Sequence, residues 1–160
     1  MNFLEQLASE WFEYTGYFVR TNVRARKRAA GGWDAELDVL AYQPSSRTLL
    51  HIETSGDAES WKERKHRFLT KKFVFSKAEY EEILGSPIDS IHRKAIVGWS
   101  QSPTTDLNWG EDIEVIAVPT FLSQIVSELR NRDFVREAVP ESYPILRTIQ
   151  MTLKYGIQVA

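Results

Sequence analysis

Asp38 and Glu53 have the most chemistry to offer, because a hairpin would set them side by side. Two β-type runs, Glu36 to Tyr42 and Thr48 to Thr54, flank Gln43-Pro44-Ser45-Ser46-Arg47, and apolar-rich runs separated by Pro and Ser read as paired antiparallel strands. A two-residue turn at Ser45-Ser46 puts Asp38 directly across from Glu53. Opposed side chains on one face have Cβ atoms about 4.5–5.5 Å apart. Two ionised carboxylates about 5 Å apart repel by roughly 3 kcal/mol at an effective dielectric of 20, so the pair calls for a cation or a shared proton. Hard divalent ions such as Mg2+ or Mn2+ bind a few carboxylates plus waters, polarise phosphates and activate water. The register matters, since a one-residue slip would send the two acids to opposite faces. His51 shares their face and reads as a packed strand residue, while Asp34 and Glu36, nearer the loop, are secondary metal candidates.

The elements that must position this pair follow from periodicity. Leu4, Leu7, Ala8, Trp11 and Phe12 recur at helical spacing over residues 2–15, and Gly16 follows where a left-handed cap would end the helix. From Tyr17 the period changes to two, with Val19, Thr21, Val23 and Ala25 alternating with Arg20, Asn22, Arg24 and Arg26. After the hairpin, Gly56 and Asp57 offer a turn and N-cap for a helix through about Phe75, with Trp61, Lys65, Phe68, Leu69 and Lys72 on one side. A short helix over Ser76–Leu84, a strand over Ile91–Trp99, a polar loop over Ser100–Asp112 and a strand over Ile113–Val118 come next. A helix capped at Thr120 and a last helix over Tyr143–Tyr155 complete the chain. The order αβββαβ, then βα and a helix, predicts an α/β fold with a mixed central sheet flanked by helices. No repeat or linker divides residues 1–160, so one domain is expected.

Several segments together carry a likeness. Glu5-Gln6-Leu7-Ala8, Gly16-Tyr17-Phe18-Val19, Asn22, the run GWDAELDVLAY and the run LLHIETSG resemble the PD-(D/E)XK restriction-endonuclease-like nucleases, small resolvase-type and uncharacterised members above all. The resemblance covers about residues 1–75. It implies a restriction-endonuclease-like core and metal-dependent hydrolysis of phosphodiester bonds in nucleic acid, DNA in the first instance. By that resemblance Asp38 is the first metal-binding aspartate, Glu53 the acid of the second motif half and Glu5 the helix glutamate, and the main-chain carbonyl of Thr54 completes the coordination of Mg2+ or Mn2+. The departure is Ser55, which stands where the family carries its lysine. Some relatives supply that cation from the adjoining helix, which makes Lys62 and Lys65 the catalytic candidates here; Lys65 shares a helical side with Trp61 and Phe68. The alternative is a catalytically degenerate module that binds nucleic acid or a protein without cleaving, since losing one such group costs about 10²–10⁴ in rate.

Charge distribution agrees with a polyanionic partner. The 160-residue chain has a net charge of -2, but five basic residues fall in Arg20–Arg28 and six in Lys62–Lys72, and the local field rather than the total steers a ligand. Arg20, Arg24, Arg26 and Arg28 form a predicted ladder along one strand, suited to a phosphate track, with Lys62 and Lys65 as the second nucleic-acid contact. With 42% hydrophobic residues and no cysteine, the composition excludes a disordered chain, a disulfide scaffold and thiolate-bound zinc. No run of about 20 apolar residues marks a membrane span. The start MNFLEQLASEW lacks the pattern of a secretory signal, so a cytoplasmic protein is expected. No phosphate-loop, dinucleotide or Gly-x-Ser-x-Gly motif occurs. The apolar stretch Ile145–Ile157 is a candidate homodimer surface.

Overall fold

Asn2 starts the first helix by accepting from the N–H groups of Leu4 and Glu5, while the Glu5 carboxylate closes back on the Asn2 N–H. This reciprocal cap satisfies amides that the first turn leaves without partners. In the computed structural model, which describes residues 2–56, 59–98 and 107–156, the helix is α1 (Phe3–Tyr14), followed by β1 (Phe18–Lys27), β2 (Trp33–Gln43) and β3 (Thr48–Ser55). Next come α2 (Trp61–Arg67), a single π-helical turn (Phe68–Lys72) and α3 (Lys77–Leu84). The chain then forms β4 (Ser90–Val97), β5 (Ile113–Ala117), α4 (Val118–Arg130) and α5 (Pro144–Tyr155).

The five strands lie in the order β1-β2-β3-β4-β5, antiparallel from β1 to β3 and parallel from β3 to β5. This is the mixed sheet expected, flanked by helices in a coarse restriction-endonuclease-like α/β architecture. On one face α1, α4 and α5 bury Leu7, Phe12, Phe121, Ile125 and Leu146 against Val39, Leu50, Ile52 and Ile96. The opposite face carries Leu40, Tyr42 and Leu49 under Phe75 and Tyr80, and Ala95 and Val97 under Phe68, Phe73 and Trp109. The buried Glu10 of α1 accepts from the Ile145 and Leu146 N–H groups at 2.9 and 3.0 Å. It thereby caps α5, whose own N-cap residue Tyr143 provides no side-chain bond. Leu146, Ile149 and Leu153 of the apolar C-terminal stretch face this core, whereas Ile157 lies outside the described residues. Among the described residues no helix is long and apolar enough to cross a membrane.

The hairpin keeps its expected register through a different turn. β2 and β3 pair from Val39↔Ile52 to Gln43↔Thr48, which leaves Pro44–Arg47 as a four-residue loop with Arg47 in the left-handed region at φ 48°. The loop remains symmetric about Ser45-Ser46, so the facing residues are those of the tighter turn. Leu37 clusters with Leu40 and not with Val39, an interruption of strict alternation beside Asp38. The β1–β2 register brings Asn22 to the same level, and there its φ is 51°.

The helix expected from Asp57 to Phe75 is shorter and broken. Asp57 lies outside the described residues; Ser60 is the N-cap of α2 and forms a reciprocal box with Glu63. After Arg67 the bonding widens, and the Phe73 N–H reaches the Phe68 carbonyl at 2.9 Å, an i→i+5 bond of the kind found in single π turns at functional sites. α4 begins at Val118 rather than after a Thr120 cap, because Pro119 in its first turn has no N–H to satisfy.

Candidate functional site

Where the β2–β3 ladder ends, side chains take over its bonds. The Asp38 N–H donates to Glu53 Oε1 at 3.2 Å, and the Thr54 N–H and hydroxyl donate to Asp38 Oδ2 at 2.8 and 3.2 Å. Each carboxylate is thus fixed by the opposite strand. The remaining oxygens converge on one cation: Lys72 Nζ lies 3.1 Å from Asp38 Oδ1 and 2.6 Å from Glu53 Oε2. Lys72 ends the π turn, which packs on the sheet through buried Phe68. Behind Glu53, His51 Nε2 lies 2.8 Å from Oε1, and His51 Nδ1 lies 2.7 Å from the Tyr80 hydroxyl.

Burial sets the electrostatics. The Asp38 carboxyl is pushed up to about 6, first by burial and then by the Glu53 charge, against the opposing pull of Lys72 and Thr54. Burial also works to raise Glu53, but the His51 hydrogen bond and the Lys72 ammonium outweigh it and hold this acid below the usual carboxylate range. Burial lowers His51 despite Glu53, which favours the neutral imidazole. The two facing acids overcome the burial of Lys72 and hold its ammonium above the usual lysine range. Burial drives the Tyr80 phenol up to about 12. Shifted titratable groups gathered around one ion pair occur at functional sites and in structural ion-pair networks alike.

The cleft in front of the pair has a volume of about 510 Å³ and is lined by Asn2, Glu5, Asp38, Ser55, Arg67 and Lys72 among others. Glu5 reaches its wall, with its carboxylate engaged by Asn2 at 2.6 and 2.9 Å. Arg67 donates to Ser55 Oγ at 3.0 Å and pairs with Glu59 at 3.0 Å, so Ser55 holds a cation from α2. Lys62 is exposed on α2 and Lys65 donates to the Asn108 carbonyl at 2.7 Å; neither lines the cleft. The β1 arginines do not line it either. Arg20 donates to the Ile83 carbonyl, Arg26 to Glu79 and the Val74 carbonyl, Arg28 pairs with Asp34, and Arg24 lies 3.9 Å from Glu36.

The sequence pattern therefore brings Asp38, Glu53, Thr54 and Glu5 to one place, and the structure adds Lys72, Arg67, His51 and Tyr80. A signal for Lys72 exists in the sequence, because it follows Phe68 by four positions on the apolar side. Among the described residues no three His, Cys, Asp or Glu side chains gather closely enough to enclose a metal ion. The donor chemistry still fits a hard cation. Glu53 Oε2 is buried, is met by the Lys72 ammonium at 2.6 Å, and faces the same point as Asp38 Oδ1, and two carboxylate oxygens turned toward one cation suit Mg2+ with waters filling the other positions. No protein-family model and no curated protein matches the chain.

Proposed function

We propose that the protein hydrolyses phosphodiester bonds of DNA with a divalent ion, Mg2+ or Mn2+, held by Asp38 and Glu53 and supported by the Thr54 carbonyl and Glu5. The observation that carries this reading is the convergence of Asp38 Oδ1 and the buried Glu53 Oε2 on Lys72 Nζ, at the floor of a cleft that Asp38 and Lys72 line. When bound, such an ion polarises a phosphoryl oxygen and lowers the pKa of water. With Asp38 and Glu53 holding the ion, Lys72 would be free to orient the attacking water and to offset charge on the phosphate. It takes the role that the family resemblance gives to a lysine at the Ser55 position, and Lys62 and Lys65 serve at most as phosphate contacts. Arg67, held on the cleft wall by Ser55 and Glu59, supplies in this reading a planar fork of donors for a non-bridging oxygen.

A second reading has its own observation. Lys72 already pairs with both acids at 2.6 and 3.1 Å, an ion-pair arrangement that stands without metal and suits a module that binds nucleic acid without cutting it. Incubation with plasmid, single-stranded and branched DNA, with Mg2+, Mn2+ or EDTA, separates the two. Metal-dependent cleavage that disappears in the folded Asp38→Ala, Glu53→Ala double variant is the expected result. DNA binding with no cleavage under any metal would overturn the nuclease reading in favour of the binding module.

A further inference from the structure

Each acid of the pair has one oxygen already engaged by the protein. For Asp38 it is Oδ2, held by Thr54; for Glu53 it is Oε1, held by the Asp38 N–H and by His51. The His51–Tyr80 arm is the costlier device, since both residues are wholly buried and polar, and a buried polar group is tolerated only with its hydrogen bonds made. Its polarity follows from chemistry. An ionised carboxylate only accepts, so Nε2 carries the imidazole proton, and Nδ1 is left to accept from the Tyr80 hydroxyl. Phe73 and Phe75 stand edge-on to the imidazole at 5.0 and 6.4 Å between centroids and fix its plane.

We propose that His51 and Tyr80 are positioning residues that leave Glu53 with Oε2 alone to offer a ligand, so that Asp38 and Glu53 would hold a single divalent ion in place of the Lys72 ammonium that now meets both. This inference rests on the metal-dependent reading above. Two oxygens from two acids suit one octahedral ion completed by water and substrate, and Glu5, the other acid on the cleft wall, is engaged by Asn2. Partners that orient a ligand from behind typically set metal affinity or activity by 10–100-fold, whereas a packing role alone would change stability and leave affinity untouched.

Calorimetric titration of metal-free protein with Mn2+ tests this, alongside cleavage assays and thermal melts. The wild type is expected to bind one ion. Tyr80→Phe, which keeps the ring and loses the hydroxyl, is expected to bind Mn2+ about 10–100-fold more weakly with the same stoichiometry, its cleavage partly restored at high metal. His51→Gln retains a donor toward Oε1 and should stay near wild type, while His51→Leu should not. Unchanged Mn2+ affinity in folded Tyr80→Phe, or equal weakening in His51→Gln and His51→Leu, would overturn the positioning role. Two ions bound to the wild type would overturn the single-ion site. A wild type that cleaves DNA keeps the nuclease reading whichever way these variants behave; one that binds no Mn2+ ends both.

Discussion

Arg26 meets Glu79 at 2.8 Å and Lys72 meets Asp38 at 3.1 Å, yet the first carboxyl is held down at about 2 and the second pushed up to about 6. The contacts are alike and the surroundings are not. Glu79 retains 34% side-chain exposure, so the Arg26 and Ser76 hydrogen bonds dominate. Asp38 retains 11% and faces a second acid, and burial plus Glu53 outweigh Lys72. Both cations come from dense basic stretches of the sequence. On β1 the positive charge relaxes against its neighbours; in the cleft it sits among groups that are held together at a cost, and an incoming ligand can relieve that cost. Basic clustering alone does not distinguish the two, because burial and backbone path decide which cation has work left to do.

The largest expected effect separates these cations directly. Lys72→Ala should lower cleavage by about 10²–10⁴-fold, the range for loss of one acid/base or electrostatic group, while Arg26→Ala leaves turnover within a few-fold in the same assay. Equal losses would erase the distinction. Asp38→Asn comes next. An acid whose folded value of about 6 exceeds its unfolded value near 3.8 contributes stability that is present below about pH 4 and lost as pH rises through 6. The full shift corresponds to about 3 kcal/mol at most. Denaturation of the apo protein should therefore show Asp38→Asn more stable than wild type at pH 8, with the gain shrinking toward pH 4, and the same variant should lose metal-dependent cleavage. A stability gain that does not vary with pH would mean that Asp38 is not raised.

What the sequence revealed and what it hid divide along the same line. Alternation and a symmetric loop were enough to put Asp38 across from Glu53, and the register held although the turn is Pro44–Arg47 rather than Ser45-Ser46. The first helix was readable too, from Leu4, Leu7, Ala8, Trp11 and Phe12 at helical spacing, whereas Glu5, read as the helix glutamate of the site, commits its carboxylate to the Asn2 cap. Lys72 shares the apolar side of its helix in the sequence, but sequence distance favours Lys62 and Lys65 as neighbours of Glu53, and the π turn that ends at Lys72 leaves no mark in the residue pattern. The arginine ladder presumes uninterrupted alternation, and left-handed Asn22 and Arg26, at φ 51° and 59°, break it. His51 read as a packed strand residue, and it is packed, but its two nitrogens are bonded to partners that periodicity does not reveal: Tyr80 on α3 and Glu53 on its own strand.

The remaining two predictions are smaller and compare cations that keep a bonded partner. Arg67→Lys preserves charge but loses the planar fork held by Ser55 and Glu59. Charge-assisted hydrogen bonds contribute about 1.5–3 kcal/mol, so cleavage should fall by about 10–100-fold with metal affinity unchanged in the Mn2+ titration; weakened Mn2+ binding would place Arg67 with the acids and not with the phosphate. Glu79→Gln marks the lower end of the scale. Its depressed carboxyl contributes stability that is present above the unfolded value of about 4.5 and lost as pH falls toward 2, opposite in sign to Asp38. Because the pair is exposed and screened, the loss at neutral pH should be under about 1 kcal/mol and should shrink in high salt. A larger, salt-insensitive loss would show that the β1–α3 contact is held as tightly as the cleft, and the contrast between relaxed and poised charge would fail where it is easiest to measure.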